Sequence, residues 1–149
     1  MSQLVVDLAS ITGIVTGDVT NVKLWADTGA TAGAVDGTDT QVGGAGSVSI
    51  SGATGTITFS TAFTVSAATN YILQADVANL VADDTVTLAL PSGNLTASGV
   101  TSGASITASG SATNVTHTQD AGGFIPRPFA AAPATPRFIS RPRILSPNP

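Results

Sequence analysis

Between Gln3 and about Thr118 the chain alternates apolar residues with threonine or serine, and that period of two constrains the fold more than any other feature. SVSI (Ser47–Ile50), TGTITF (Thr54–Phe59), AFTVS (Ala62–Ser66), TVTLAL (Thr85–Leu90), NLTAS (Asn94–Ser98) and ASITAS (Ala104–Ser109) all follow it. Successive side chains of a strand point to opposite faces, so this spacing predicts half-buried antiparallel strands with hydroxyl groups outward. VTNVKLWA (Val19–Ala26) puts Val22, Leu24 and Ala26 on one face and Lys23 and Trp25 on the other, while YILQADV (Tyr71–Val77) reads as a central strand. Turn residues separate the runs: Thr16-Gly17-Asp18, Gly43-Gly44 with Gly46, Ser51-Gly52, Pro91-Ser92-Gly93, Ser102-Gly103 and Ser109-Gly110. Helical periodicity lasts no more than a turn or two, around Val77 to Ala82. Seven or more short strands at this spacing predict a β-sandwich or small barrel.

A length of 149 residues with 42% hydrophobic content suffices for one core. Only 9% of residues are charged, against roughly a quarter in an ordinary soluble domain, and Lys23 is the single lysine. Such a surface suits a chain that covers much of its outside with neighbours. Cysteine is absent, which excludes disulfides, thiolate chemistry and cysteine-ligated metals. MSQLVVDLAS has no basic leader region or apolar run of signal length, and no stretch approaches the ~18 apolar residues of a membrane span. A chain that remains in the compartment of its synthesis, off the membrane, is expected.

DVTNVKLWADTG (Asp18–Gly29), DGTDTQVG (Asp36–Gly43) and GTITFSTAFTVSAATNYILQADV (Gly55–Val77) together resemble an immunoglobulin-like β-sandwich module of bacterial and archaeal surface proteins, carried also by some phage virion proteins. In that module a strand ending LY-D leads into a loop rich in Asp and Gly, a GT-TF strand follows, and a strand ending ADV comes later. The resemblance spans roughly Leu4 to Val100 and implies an Ig-like sandwich. This chain departs from the pattern in having one copy and an irregularly spaced acidic loop.

Charge divides the chain. All nine acidic residues lie at or before Asp120 with Lys23 the only base, a net of −8, and all four arginines follow, a net of +4. Seven of the eight prolines also fall in this last stretch. Proline removes ladder donors and favours extended backbone, so the expected organisation is a β-sandwich domain over 1–118 and an extended Pro/Arg-rich C-terminal arm over 119–149. The arm carries one phrase twice, 14 positions apart: FIPRPF (Phe124–Phe129) and FISRPR (Phe138–Arg143). A Phe-Ile pair supplies apolar anchors, Arg offers a fork for a carboxylate, and Pro limits the entropy lost on docking. Phe124, Ile125, Arg127, Phe129, Arg137, Phe138, Ile139, Arg141 and Arg143 are therefore the expected partner-binding residues.

Other candidates have plainer explanations. Asp27, Asp36 and Asp39 share a Gly-rich loop, but their spacing is irregular for calcium and no Glu closes the set, so a solvated loop is expected. Asp83-Asp84 suits a turn cap. His117 is the only histidine; Asp120 lies near it in sequence, yet no nucleophile-base-acid set is recognisable. Trp25 could serve as a sugar platform, although core or interface filling is the commoner use of a single Trp. Asn94-Leu95-Thr96 and Asn114-Val115-Thr116 match glycosylation acceptors, which arise by accident in a Thr-rich chain. Arginines interleaved with prolines beside a body of −8 make a poor nucleic-acid footprint.

The expectation is a non-enzymatic structural protein without cofactor or metal, whose arm docks on its own copies or on other subunits of a large assembly. A virion part assembled in the host cytoplasm fits best, as a phage capsid decoration or cement protein or a tail-associated subunit. An extracellular filament or surface-layer subunit joined by strand or arm exchange is the alternative, and a carbohydrate-binding adhesive module a third.

Overall fold

A computed structural model describes residues 1–65, 69–110 and 112–120. Two antiparallel sheets form an all-β sandwich. The larger sheet is built on β1 (Gln3–Thr12), flanked on one side by β5 (Thr54–Phe59) and then β4 (Ser47–Ser51). On its other side β1 meets β7 (Thr85–Ala89) along its C-terminal half and β8 (Leu95–Ser98) at Gln3 and Leu4. Between β7 and β8 the ladder is broken where Pro91, which has no N–H, precedes a 3-10 turn, Ser92–Asn94. The Asn94 amide closes that gap by donating to Asp7 Oδ1 at 2.7 Å. The short β9 (Ser105–Ile106) pairs with β8, and β10 (Val115–Thr118) completes the sheet outside β7.

The smaller sheet has three strands: β2 (Val19–Asp27) between β3 (Thr40–Ala45) and β6 (Asn70–Val77). The inward faces of both sheets meet in one core of Leu4, Val6, Leu8, Val22, Leu24, Ile57 and Phe59, with Ile11 and Ile14 added from the end of β1 and beyond. Phe59 sits at its centre with no exposed surface. Alternation is kept as expected: Ser47, Ser49 and Ser51 face solvent while Val48 and Ile50 pack on the core.

Two bulges reset that alternation. Ser10 (φ 49°) and Asn21 (φ 50°) are left-handed, and the β1–β7 and β2–β6 registers slip around them. An extra residue moves every later side chain to the other face. Ile11 thereby joins Leu4, Val6 and Leu8 inside, and Val19 packs on the core that also takes Val22 and Leu24. A third bulge overturns an expectation. Gly43-Gly44 form no turn; both have positive φ (70° and 72°) and lie within β3, unpaired between Leu24↔Val42 and Lys23↔Ala45.

Several other readings are corrected. YILQADV is an edge strand among the described residues, since β6 pairs only with β2. AFTVS forms no strand over 62–65; Phe63 alone reaches a backbone partner, exchanging hydrogen bonds with Met1 at 2.7 and 2.9 Å. ASITAS shrinks to the two residues of β9, and no helical turn follows Val77. Ser51-Gly52 does mark a tight hairpin, closing Ser51 against Thr54.

Candidate docking groove along an open sheet edge

Three strands do not cover a sheet of seven. Inward-facing Leu73, Ala75 and Val77 of β6 stand opposite Val86 and Leu88 of β7, and between them runs a groove of about 560 Å³ open to solvent. Its walls are mostly apolar, with Asp84, His117, Thr118 and Gln119 supplying the polar part. His117, paired with Val86 on the edge strand β10, is the one imidazole on its rim. β6 has no strand partner on its outer side among the described residues, so one sheet edge runs along an apolar trough.

Two buried carboxylates fix one end of the groove. The 78–84 loop crosses from β6 to β7 through left-handed Asn79 and Asp83. Asp84, 4% exposed, accepts the Val81 N–H at 2.7 Å and so caps this turn, as expected of the Asp pair. Asp18, at the earlier crossing from β1 to β2, accepts the Val15 N–H and the Asn79 amide, both at 2.9 Å. Each buried charge is thus held by donors, the condition for tolerating it. Gln119 exchanges backbone hydrogen bonds with Asp83 and Asp84 at 2.9 and 2.8 Å, which pins the chain to the groove's end just before residue 121.

The Asn79 amide and the Val15 N–H hold the Asp18 carboxyl below the ordinary value of 3.8. A depressed native pKa adds stability that is fully present above the unfolded value and is lost as pH falls through the native one. Asp18→Asn should therefore flatten the acid limb of stability below about pH 4 while lowering stability at neutral pH, where the two donors lose a charged acceptor. Urea melts at neutral pH and between about pH 2 and 4 check this; equal losses at every pH would contradict it.

The acidic loop serves its own backbone. Asp39 accepts from Thr28 N–H, Gly29 N–H and Asp36 N–H at 2.8 to 3.0 Å, Asp36 accepts from Thr31 N–H and from the N–H and hydroxyl of Thr38, and Asp27 accepts from Gly33 N–H. The Thr38 hydroxyl, then the Thr38 and Thr31 N–H groups, lower the Asp36 pKa. This is Asx-type loop closure. Trp25 lies on the outer face of the small sheet, half-buried, its N–H on Gln74 Oε1 at 2.9 Å and the Lys23 ammonium 5.8 Å from the ring centre. That contact is within cation–π range. His117 makes no hydrogen bond to Asp120 among the described residues.

Phe124, Ile125, Arg127, Phe129, Arg137, Phe138, Ile139, Arg141 and Arg143 all lie outside the described residues. The groove was missed in the sequence because YILQADV, apolar at five of its seven positions, reads as a strand flanked on both sides. No signal in the sequence marked it, since AFTVS, which reads as a strand, stood available as a neighbour. Comparison of the chain with protein-family models, with curated proteins and with solved structures found no match.

Proposed function

We propose that the protein is a non-enzymatic structural subunit whose C-terminal arm ties it to neighbouring subunits of a large assembly. The observation that carries this reading is the division of charge, −8 over residues 1–120 and +4 over 121–149. An arm of one sign on a body of the other attracts the bodies of other copies, and doubled Phe-Ile-x-Arg-Pro supplies anchors at two points. The apolar groove supports it further, since an uncovered trough of this kind marks an interaction surface. A virion component, such as a capsid decoration or cement protein or a tail-associated part, is the form that fits a chain with few charges and one lysine. The β6 edge, unpaired among the described residues, favours the second reading, an extracellular filament or surface-layer subunit joined by strand exchange.

The test is electrostatic. Reversing Arg137, Arg141 and Arg143 to Glu should shift the sedimentation of the full chain from assembled to monomeric species. Raising salt from about 0.05 M to about 0.5 M should weaken the parent in the same direction, because screening shortens the Debye length to a few ångströms. Sedimentation indifferent to both changes would remove the charge-driven arm.

A further inference from the structure

The groove beside β6 has the shape of a missing strand, and the repeated phrase has the pattern of one that could fill it. Along an edge strand, the backbone N–H groups of alternate residues point to the partner and those between point away. Proline is tolerated in such a strand only where the N–H would point away. In FISRPR the proline, Pro142, stands four residues after Phe138; in FIPRPF the prolines, Pro126 and Pro128, stand two and four residues after Phe124. Every proline therefore shares the phase of the leading Phe. A strand that turns the N–H groups of Ile139, Arg141 and Arg143 toward an acceptor edge turns Pro142 outward, at no cost in hydrogen bonds.

The same phase sorts the side chains. Phe138, Ser140 and Pro142 fall on one face, Ile139, Arg141 and Arg143 on the other. On β6 the groove face presents Leu73, Ala75 and Val77, and the outer face presents Gln74 and Asp76. With Phe138 and Pro142 lying into the groove, Arg141 and Arg143 lie on the outer face with Asp76. This facing sets Phe138 and Pro142 against the apolar trough and the two arginines beside the Asp76 carboxylate, which also accepts the Asn21 amide at 2.6 Å, with Ser140 inward and Ile139 outward.

Reach decides whose arm it is. Phe138 lies 18 residues beyond Asp120, and at about 3.1 Å per extended residue those span roughly 56 Å, enough to cross to an adjacent sandwich. Phe124 lies four residues beyond Asp120, or about 12 Å, and stays by its own body.

Resting on the reading of the arm as a connector, we infer that the groove along β6 receives the Phe138–Arg143 segment of a second copy, which adds to β6 as an antiparallel strand. The receiving surface is thus assigned to Leu73, Ala75, Val77, Val86 and Leu88, with Asp76 as the acidic contact.

The chain has no cysteine, so single introduced thiols report contacts without background. Full-length Ala75→Cys and full-length Ser140→Cys chains are mixed and mildly oxidised, and the 75–140 disulfide, intermolecular by construction, is quantified by peptide mapping. Val77→Cys is run beside Ala75→Cys to cover a two-residue shift of register. The expected result is a 75–140 or 77–140 link that falls about tenfold or more when Phe138→Ser is added to the arm chain, as for loss of a buried aromatic anchor. If the chains co-sediment yet neither link exceeds that control, the groove assignment falls and the connector reading stands. If the chains do not associate at all, both fall. A chain carrying both cysteines that links mainly within itself, in the monomer fraction, overturns the assignment to a second copy.

Discussion

Phe59→Ala should remove about 3–5 kcal/mol of the sandwich's stability, the largest loss expected of any single substitution in its core. Phe59 closes β5 against the core with no exposed surface, between Leu4 of β1, its cross-strand partner, and the small sheet. The corner glycine Gly46, through which the chain steps from β3 to β4, stands so close that an added Cβ would lie 3.0 Å from the Phe59 ring. Walls fixed on three sides cannot collapse into the space a phenyl group leaves, and the unrelieved cavity adds to the lost transfer energy. Phe→Ala in such a site costs about 3–5 kcal/mol, against a total stability of roughly 5–15 kcal/mol for a domain. Thermal or urea melts followed by far-UV circular dichroism check this; a melt shifted by less than about 1 kcal/mol would mean that the two sheets do not share one core.

Gly13→Ala is expected to cost about 3 kcal/mol, from two sources that act together. Gly13 has φ 75°, a left-handed conformation that a Cβ resists by about 1–2 kcal/mol. The added methyl would also occupy the place of the buried Asp84 carboxylate. Displacing that carboxylate breaks its bond with the Val81 N–H and opens the turn that closes the groove, and a buried acceptor such as Asp84 left without its partner costs about 1–3 kcal/mol. Gly17→Ala is the control, because it has an ordinary φ and nothing within 4 Å of the new methyl. Its melt should stay within about 0.5 kcal/mol of the parent. Equal melts for the two variants would refute the role given to the Gly13–Asp84 contact.

The all-β architecture was legible because the period of two was strong. Val22, Leu24 and Ala26 are buried, and Lys23 and Trp25 face out, as their spacing predicts. What escaped was decided by residues that bend a strand without ending it. Gly43-Gly44 read as a turn, since adjacent glycines stop most strands; here β2 supplies partners on both sides of the pair, and the glycines take the left-handed angles of a bulge. Ser10 carries no signal of its bulge, and Asn21 only the weak one that Asn tolerates left-handed backbone more readily than most residues; tertiary pairing decides where it is used. AFTVS has a strand's alternation, but among the described residues Met1 is the one backbone partner it finds. The groove could not be read from local pattern at all, since whether a strand lies at an edge depends on the number of strands in its sheet. The arm residues were singled out by charge and repetition alone.

If the arm connects and the sandwich folds without it, sedimentation of the full chain beside one ending at Gly123, at matched concentration and low salt and with circular dichroism on both, will separate the two roles. The shortened chain is expected to keep its β spectrum and melt and to sediment as a monomer, while the full chain associates. A shortened chain that associates as well as the parent would refute the arm as connector and put the contacts on the sandwich itself.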